Sequence, residues 1–326
     1  MSNVENTQRV ESRGFLDRVR ASPFLSELLS NRLAVAGIAI IVAMAIIAIV
    51  ARFTLHDAAH VGSFLSQRPE ARYASPSLEF PFGTDKQARN IFIRVLYGAW
   101  YALLYGGITV AVSTVAGVGL GVIAAYFGDM TDNVIMRTMD VLLAFPSLLL
   151  ALALVAIIPS EITLPSFVAA LPGVNESFTL GLWRGVAALT LVYTPRFARV
   201  VRGAALKVLE DEYIEASQSL GSTHPRVLAR HVVPNCLAPI TVQSTLNFGL
   251  AIIDLAALSF LGFGAAVGTP TWGMMLDQGV KKGMLTGQWW WAFFPGLFLA
   301  ITVLGFNLLG DGMRDALDPR MRDAVD

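Results

Sequence analysis

Between Leu33 and Leu55 the chain carries a single charged residue, Arg52. About 20 apolar residues in helical form cross a hydrocarbon core of about 30 Å. In lipid, only a helix or a closed barrel satisfies every backbone polar group. Comparable stretches recur near residues 100–127, 141–159, 183–206, 237–261 and 291–309. The sequence therefore predicts an all-α membrane protein with six transmembrane helices, over residues 33–310. Composition agrees: 55% of residues are hydrophobic and 15% charged, against about 25% charged in an ordinary soluble domain. The formal net charge is zero, so nothing points to a nucleic-acid partner, and membrane lipid is the partner the composition demands. The first apolar run is too long for a signal peptide, and no cleavage site follows it.

Orientation follows from the lysines and arginines flanking the spans, which concentrate on the cytoplasmic side. With residues 1–32 inside, that side receives Arg9, Arg13, Arg18, Arg20, Arg32, Arg137, Arg196, Arg199, Arg202, Lys207, Arg226, Arg230, Arg314, Arg320 and Arg322. The other side receives fewer. Both termini, including the tail 311–326, are then cytoplasmic, and so is the segment 207–236. Trp289, Trp290, Trp291 and Phe294 read as an aromatic belt at the outer entrance of the last span. Residues Phe15–Leu29 suit an amphipathic helix.

Segment 207–236 is the longest polar stretch between spans in the second half of the chain. Glu210, Asp211, Glu212 and Glu215 crowd the start of a helical pattern, where a helix N-terminus favours negative charge. Gly221 suits the left-handed residue that ends such a helix. Pro225 suits the first turn of a second one, with Arg226, Arg230 and His231 following. Two short helices outside the bilayer are expected.

Glu215-Ala216-Ser217, then Gly221, then His231-Val232-Val233-Pro234 resembles the Glu-Ala-Ala loop of ABC-importer permeases. Arg230-His231-Val232-Val233-Pro234-Asn235 is similar to its dipeptide/oligopeptide and nickel branch. Ser217, His231 and Val233 depart from the general pattern, which has Ala, Ile and Leu there. Phe82-Gly83-Thr84-Asp85, Ser259–Gly264, Trp272-Gly273-Met274-Met275 and Phe306–Pro319 resemble the same permeases, so the resemblance covers about residues 75–320. The branch usually continues Gly-Arg-Asp where this chain has Ala88-Arg89-Asn90. The resemblance implies the type I ABC-importer permease fold, in which Glu215, Ala216, Ser217, Gly221, Pro225 and Pro234 belong to a cytoplasmic coupling helix docked on an ATPase. It further implies a heterodimer with a homologous permease subunit, two cytoplasmic ATPase subunits holding ATP and Mg, and an extracytoplasmic substrate-binding protein. The location implied is the bacterial inner membrane.

Catalytic signatures are missing from the chain. It has no GxxxxGK[ST] phosphate loop, no HExxH and no CxxC, so no cofactor is expected on it. His56 and His60 have helical spacing, which can ligate a metal, but read as a solvated pair. Gly83 suits a turn, and Asp85 suits a cap for a helix starting near Lys86. Gly117 and Gly121 form a GxxxG pair that lets another helix approach. Cys236, the single cysteine, reads as a structural thiol. Asp254, within Ile252–Ala256, and Asn247, two turns earlier, are the ionisable and polar candidates inside a span. Either they line a pathway, or Asp254 is hydrogen-bonded within the bundle or faces a partner.

The reading is a permease subunit of an ABC importer forming half the path for di- or oligopeptides, without an ATPase site of its own. Within the same family nickel, glutathione, oligosaccharide or a haem precursor are alternative cargoes. An ion-coupled secondary transporter predicts inverted repeats and several charged groups within the spans; the two halves show no evident repeat. A membrane scaffold leaves the loop pattern unexplained.

Overall fold

A computed structural model describes residues 23–55, 71–163, 177–179, 181–263, 265, 268–283 and 286–317. His56, His60, Gly264, the N-terminal arginines before Pro23 and the C-terminal residues beyond Leu317 lie outside the described residues. Of the segment Phe15–Leu29, only the part from Pro23 is described, as helix α1 (Pro23–Ser30).

The first long helix, α2 (Arg32–Thr54), starts where Asn31 accepts hydrogen bonds from the amides of Leu33 and Ala34. Such a side-chain cap satisfies otherwise orphaned N–H groups. Helix α3 (Ile91–Phe127) begins nine residues before the expected Trp100 and is capped by Asn90. The role expected of Asp85 is corrected accordingly. Asp85 accepts from the amides of Gln87 and Arg89 and pairs with the Arg89 side chain at 2.6 Å, so it closes a buried turn ahead of the helix. Gly83, at φ 73°, makes the bend that leads into this turn.

The expected single run 141–159 is two helices, α4 (Asp129–Leu143) and α5 (Ser147–Ile157), bent by 96° at the break. Pro146 explains this, since the residue before a proline is driven out of the helical region. A short antiparallel ribbon, Glu161–Thr163 with Ser177–Thr179, follows. Helix α6 (Leu182–Leu209) then runs through Pro195 without interruption. After the polar segment come α10 (Leu237–Phe260), a short buried helix α11 (Trp272–Gln278) and α12 (Trp290–Leu317).

Among the described residues, α2, α3, α10 and α12 are each long and apolar enough to cross a membrane, and the bent α4–α5 pair passes the same test jointly. Helix α6 has the length but carries Arg184, Arg196, Arg199, Arg202 and Lys207.

Small residues set the packing. Side-chain carbons at Gly117 and Gly121 of α3 would run into α6: the first into Phe197 Cβ and, at 2.8 Å, the Thr194 carbonyl oxygen, the second into the Ala198 carbonyl oxygen at 2.5 Å. The GxxxG pair is thus the closest seam between these two helices. Gly37, Gly305 and Gly312 do the same between α2 and α12. Helix α11 wedges between α3 and α10. Gly98 makes room for the Trp272 ring, and the Trp272 indole N–H donates to the Val95 carbonyl at 2.9 Å. The expected aromatic belt is corrected too. Trp290 and Trp291 are buried with Ile91, Val95 and Met275, and only Trp289 is exposed. The rings are drawn inward because Gly83 leaves a slot against the Trp290 indole.

Candidate functional site: the polar loop between α6 and α10

Residues 210–236 form two short helical pieces. The first, α7 (Glu212–Ser219), has Asp211 at its N-cap and Glu212 and Glu215 in its first turn, where the helix dipole favours them. Gly221 ends it at φ 82°. The Ser222 amide donates to the Ser217 carbonyl at 3.2 Å and the Gly221 amide to the Gln218 carbonyl at 2.9 Å. This is the pair of bonds that closes a helix through a left-handed residue. The Ser217 and Ser222 hydroxyls, 3.0 Å apart, tie the same corner.

The second piece starts at α8 (His224–Val227), with Pro225 in its first turn. It continues through a wider π-type turn over Leu228–Val232 and a last turn, α9 (Val233–Asn235). The widening precedes Pro234, which has no N–H to continue an ordinary ladder. Asn235 donates to the His231 carbonyl at 2.7 Å and to the Tyr213 hydroxyl at 3.1 Å, linking the two pieces.

One face of this loop is cemented to the body. Ile214, Val227, Val232 and Cys236 are buried with Val122 and Ala125 of α3 and Val201 and Ala205 of α6. His224 meets the Tyr126 hydroxyl. Burial pushes the Cys236 thiol above its ordinary pKa. The other face is bare. Glu215, Ala216, Gly221, Pro225 and Pro234 are exposed, with Ser217 half-buried. Leu220, beside Gly221, is 88% exposed. Sequence reasoning passed over Leu220, since an apolar residue in an amphipathic pattern reads as inward-facing; its place at the C-cap, next to the glycine, was the available signal. Among the described residues Glu215 makes no ion pair, with Arg226, Arg230 or any other group.

The arginine row of α6 has intramolecular partners in α4. Arg202 meets Asp132 with two hydrogen bonds at 2.5 Å, and Arg199 meets Asp140 at 2.7 Å. Arg196 instead lies over the Tyr193 ring, 5.0 Å from its centre. Of the two polar candidates in α10, Asp254 accepts a hydrogen bond from the Tyr193 hydroxyl at 2.7 Å. Asn247 is buried, and neither of its amide atoms finds a partner among the described residues. No hydrogen bond joins Asn247 to Asp254, and neither belongs to the loop.

Several membrane-length helices and an amphipathic loop bared on one side define a polytopic membrane protein. The chain belongs to the family of binding-protein-dependent transport system inner membrane components, whose pattern matches residues 117–323. It is 40% identical over 296 residues to the dipeptide transport system permease protein of Alkalihalophilus pseudofirmus, covering 91% of this chain and 88% of the relative. It is 36% identical to the oligopeptide transport system permease protein of Bacillus subtilis, over 90% of this chain and 87% of that one. The glutathione transport system permease protein of Shigella dysenteriae is 39% identical, over 76% of this chain and 74% of the relative. Among solved structures, an inward-facing MetNI methionine ABC transporter matches with a TM-score of 0.50 at 18% identity, covering 69% of this chain and 97% of that chain. That likeness concerns the fold alone.

Proposed function

We propose that this chain is the permease subunit of an ABC importer for di- or oligopeptides, and that residues 210–236 are the element through which a cytoplasmic ATPase moves it. The observation that carries the reading is the two-sidedness of the loop. Its apolar face is fixed to the C-terminal ends of α3 and α6, while the Glu215 and Leu220 side chains and Gly221 stand exposed. An exposed leucine at the glycine corner, with an exposed carboxylate on the same short helix, suits a cleft that offers an apolar floor and a basic rim. ATP and Mg would sit on two such ATPase subunits, a second permease would complete the path, and an extracytoplasmic binding protein would supply the cargo. Peptide cargo is favoured over glutathione, nickel or other solutes by the names of the relatives that span nine-tenths of the chain. In this reading α6 and the α4–α5 pair complete six spans, and both termini are cytoplasmic. ATP-driven closure would then bias the helices between inward-open and outward-open packings.

The test is substitution on the bare face. Glu215→Lys and Gly221→Asp should leave the protein in the membrane, because neither side chain contacts the body. Both should abolish uptake of labelled dipeptide and loosen a tagged ATPase from the purified complex. An exposed ion pair is worth at most about 1 kcal/mol, so charge reversal and misfit at the docking surface dominate over the lost pair. Wild-type uptake with full ATPase retention in both variants would refute the coupling role.

A further inference from the structure

Asp254 and Arg196 are charged residues within the helical body that lack an ion pair among the described residues. Asp254 interrupts the apolar run Ile252–Ala256 of α10, and Arg196 lies near the middle of α6. Tyr193 connects them. Its hydroxyl holds one carboxylate oxygen of Asp254, and its ring carries the Arg196 guanidinium on its face. The Tyr193 side chain is fully buried, whereas Asp254 and Arg196 are both only half-buried. A buried ring therefore fixes two charges at a surface of the helical body. Leu250, one turn before Asp254 on α10, and Ile253, adjacent to it, are exposed as well, so this surface is open in the single chain.

Lipid is a poor cover for such a surface, because unpaired charges facing hydrocarbon are strongly disfavoured and instead line aqueous paths or pair with one another. Arg199 and Arg202, one and two turns further along α6, have carboxylate partners in α4; Arg196 has none there, and the carboxylate its charge acts on is Asp254, across Tyr193. Ser147, the first residue of α5 beyond the 96° break, adds a hydroxyl within reach of Asp254. The hydrogen bond and the stacking distance keep the carboxylate and the guanidinium at most about 10 Å apart, close enough for one short peptide to reach both.

We propose that Asp254 and Arg196 form a dipolar recognition site on the translocation path, with the Asp254 carboxylate taking a peptide's ammonium terminus and the Arg196 guanidinium its carboxylate. Tyr193 is the positioning residue that holds both. The site deepens the peptide reading above and rests on it. A zwitterion leaving the binding protein would exchange water for these two fixed charges, each opposite in sign to the terminus it meets. Both charged residues are only half-buried, which suits a solute that must leave again.

The experiment uses the complete complex in proteoliposomes: this chain, its partner permease, both ATPases and the binding protein, with radiolabelled alanyl-alanine. The quantity read is peptide transported per ATP hydrolysed, alongside recovery of the partner permease. Asp254→Asn and Arg196→Gln should each lower that ratio about fivefold or more, while Asp254→Glu and Arg196→Lys stay within about twofold of wild type. Stimulated hydrolysis persists in all four, since the nucleotide sites are on the ATPases. An unchanged ratio in Asp254→Asn and Arg196→Gln overturns the site. Loss of the partner permease from those two complexes also overturns it, and makes the pair an interface contact. If the wild-type complex moves no alanyl-alanine, the cargo reading fails first, and that failure is visible before any variant is compared.

Discussion

At Gly221 the backbone sits at φ 82°, yet a side-chain carbon there would meet nothing within 4 Å. The requirement for glycine is therefore conformational and not spatial within this chain. Gly221→Ala should weaken the corner by about 1 kcal/mol, the cost of a left-handed non-glycine residue. It should still retain the ATPase on purification, whereas Gly221→Asp should not; equal loss in both would place the defect in the backbone alone. Cys236 offers a second residue-level test. It is the single cysteine, it is buried, and burial raises its pKa. Maleimide reacts with the thiolate, so labelling of the native protein at neutral pH should be slow, rise toward alkaline pH, and become fast on unfolding. Rapid native labelling at pH 7 would contradict the packing of the loop against α3 and α6. The glycine turn and the proline start were readable from residue type, because only those residues suit those backbone positions. Leu220 was not, because nothing in a leucine's identity says that its face of the helix lies bare.

Glycines separate two kinds of helix face in α3. Gly117 and Gly121 abut α6, while a side-chain carbon at Gly119 would meet nothing within 4 Å. Gly117→Val and Gly121→Val should sharply reduce the folded yield in detergent, measured by fluorescence-detected size exclusion. Overpacking of this kind costs typically about 1–3 kcal/mol. Gly119→Ala should be neutral or slightly stabilising, since helix propensity favours alanine over glycine by about 1 kcal/mol. Equal effects at all three positions would mean that the α3–α6 seam lies elsewhere. The GxxxG spacing made this seam legible. The break between α4 and α5 was not legible: Pro146 lies within the run expected as one span, and a proline alone does not distinguish a kink from a 96° turn. Pro195 and Pro295 lie inside continuous helices. Helix α11 lies outside the six expected spans, and its seven residues are too few to show a period. Its burial depends on Gly98, which belongs to another helix and leaves no local trace.

Over the whole molecule, the apolar runs announced the helical membrane body, and charge asymmetry suggested which side faces inward. Only the side is open to direct measurement. With Cys236 replaced by serine, a cysteine in place of Leu220 should react with a membrane-impermeant reagent only from the cytoplasmic face, and one in place of Glu161 only from outside. The reverse pattern would overturn the orientation and the ATPase docking with it. What the sequence could not convey is how far a force applied at the loop would travel. Helix α3 is unbroken from Ile91 to Phe127, a rod of about 55 Å at 1.5 Å per residue. Its C-terminal end carries the foot made by Ile214, Val227 and Val232; its N-terminal end is keyed to Trp272 through Val95 and Gly98. Tilting it by about 5° about that foot would swing the far end by about 5 Å over that length. The wedge formed by α11 must then ride with α3 or be levered out of its slot, so the far end would respond in the same stroke as the foot.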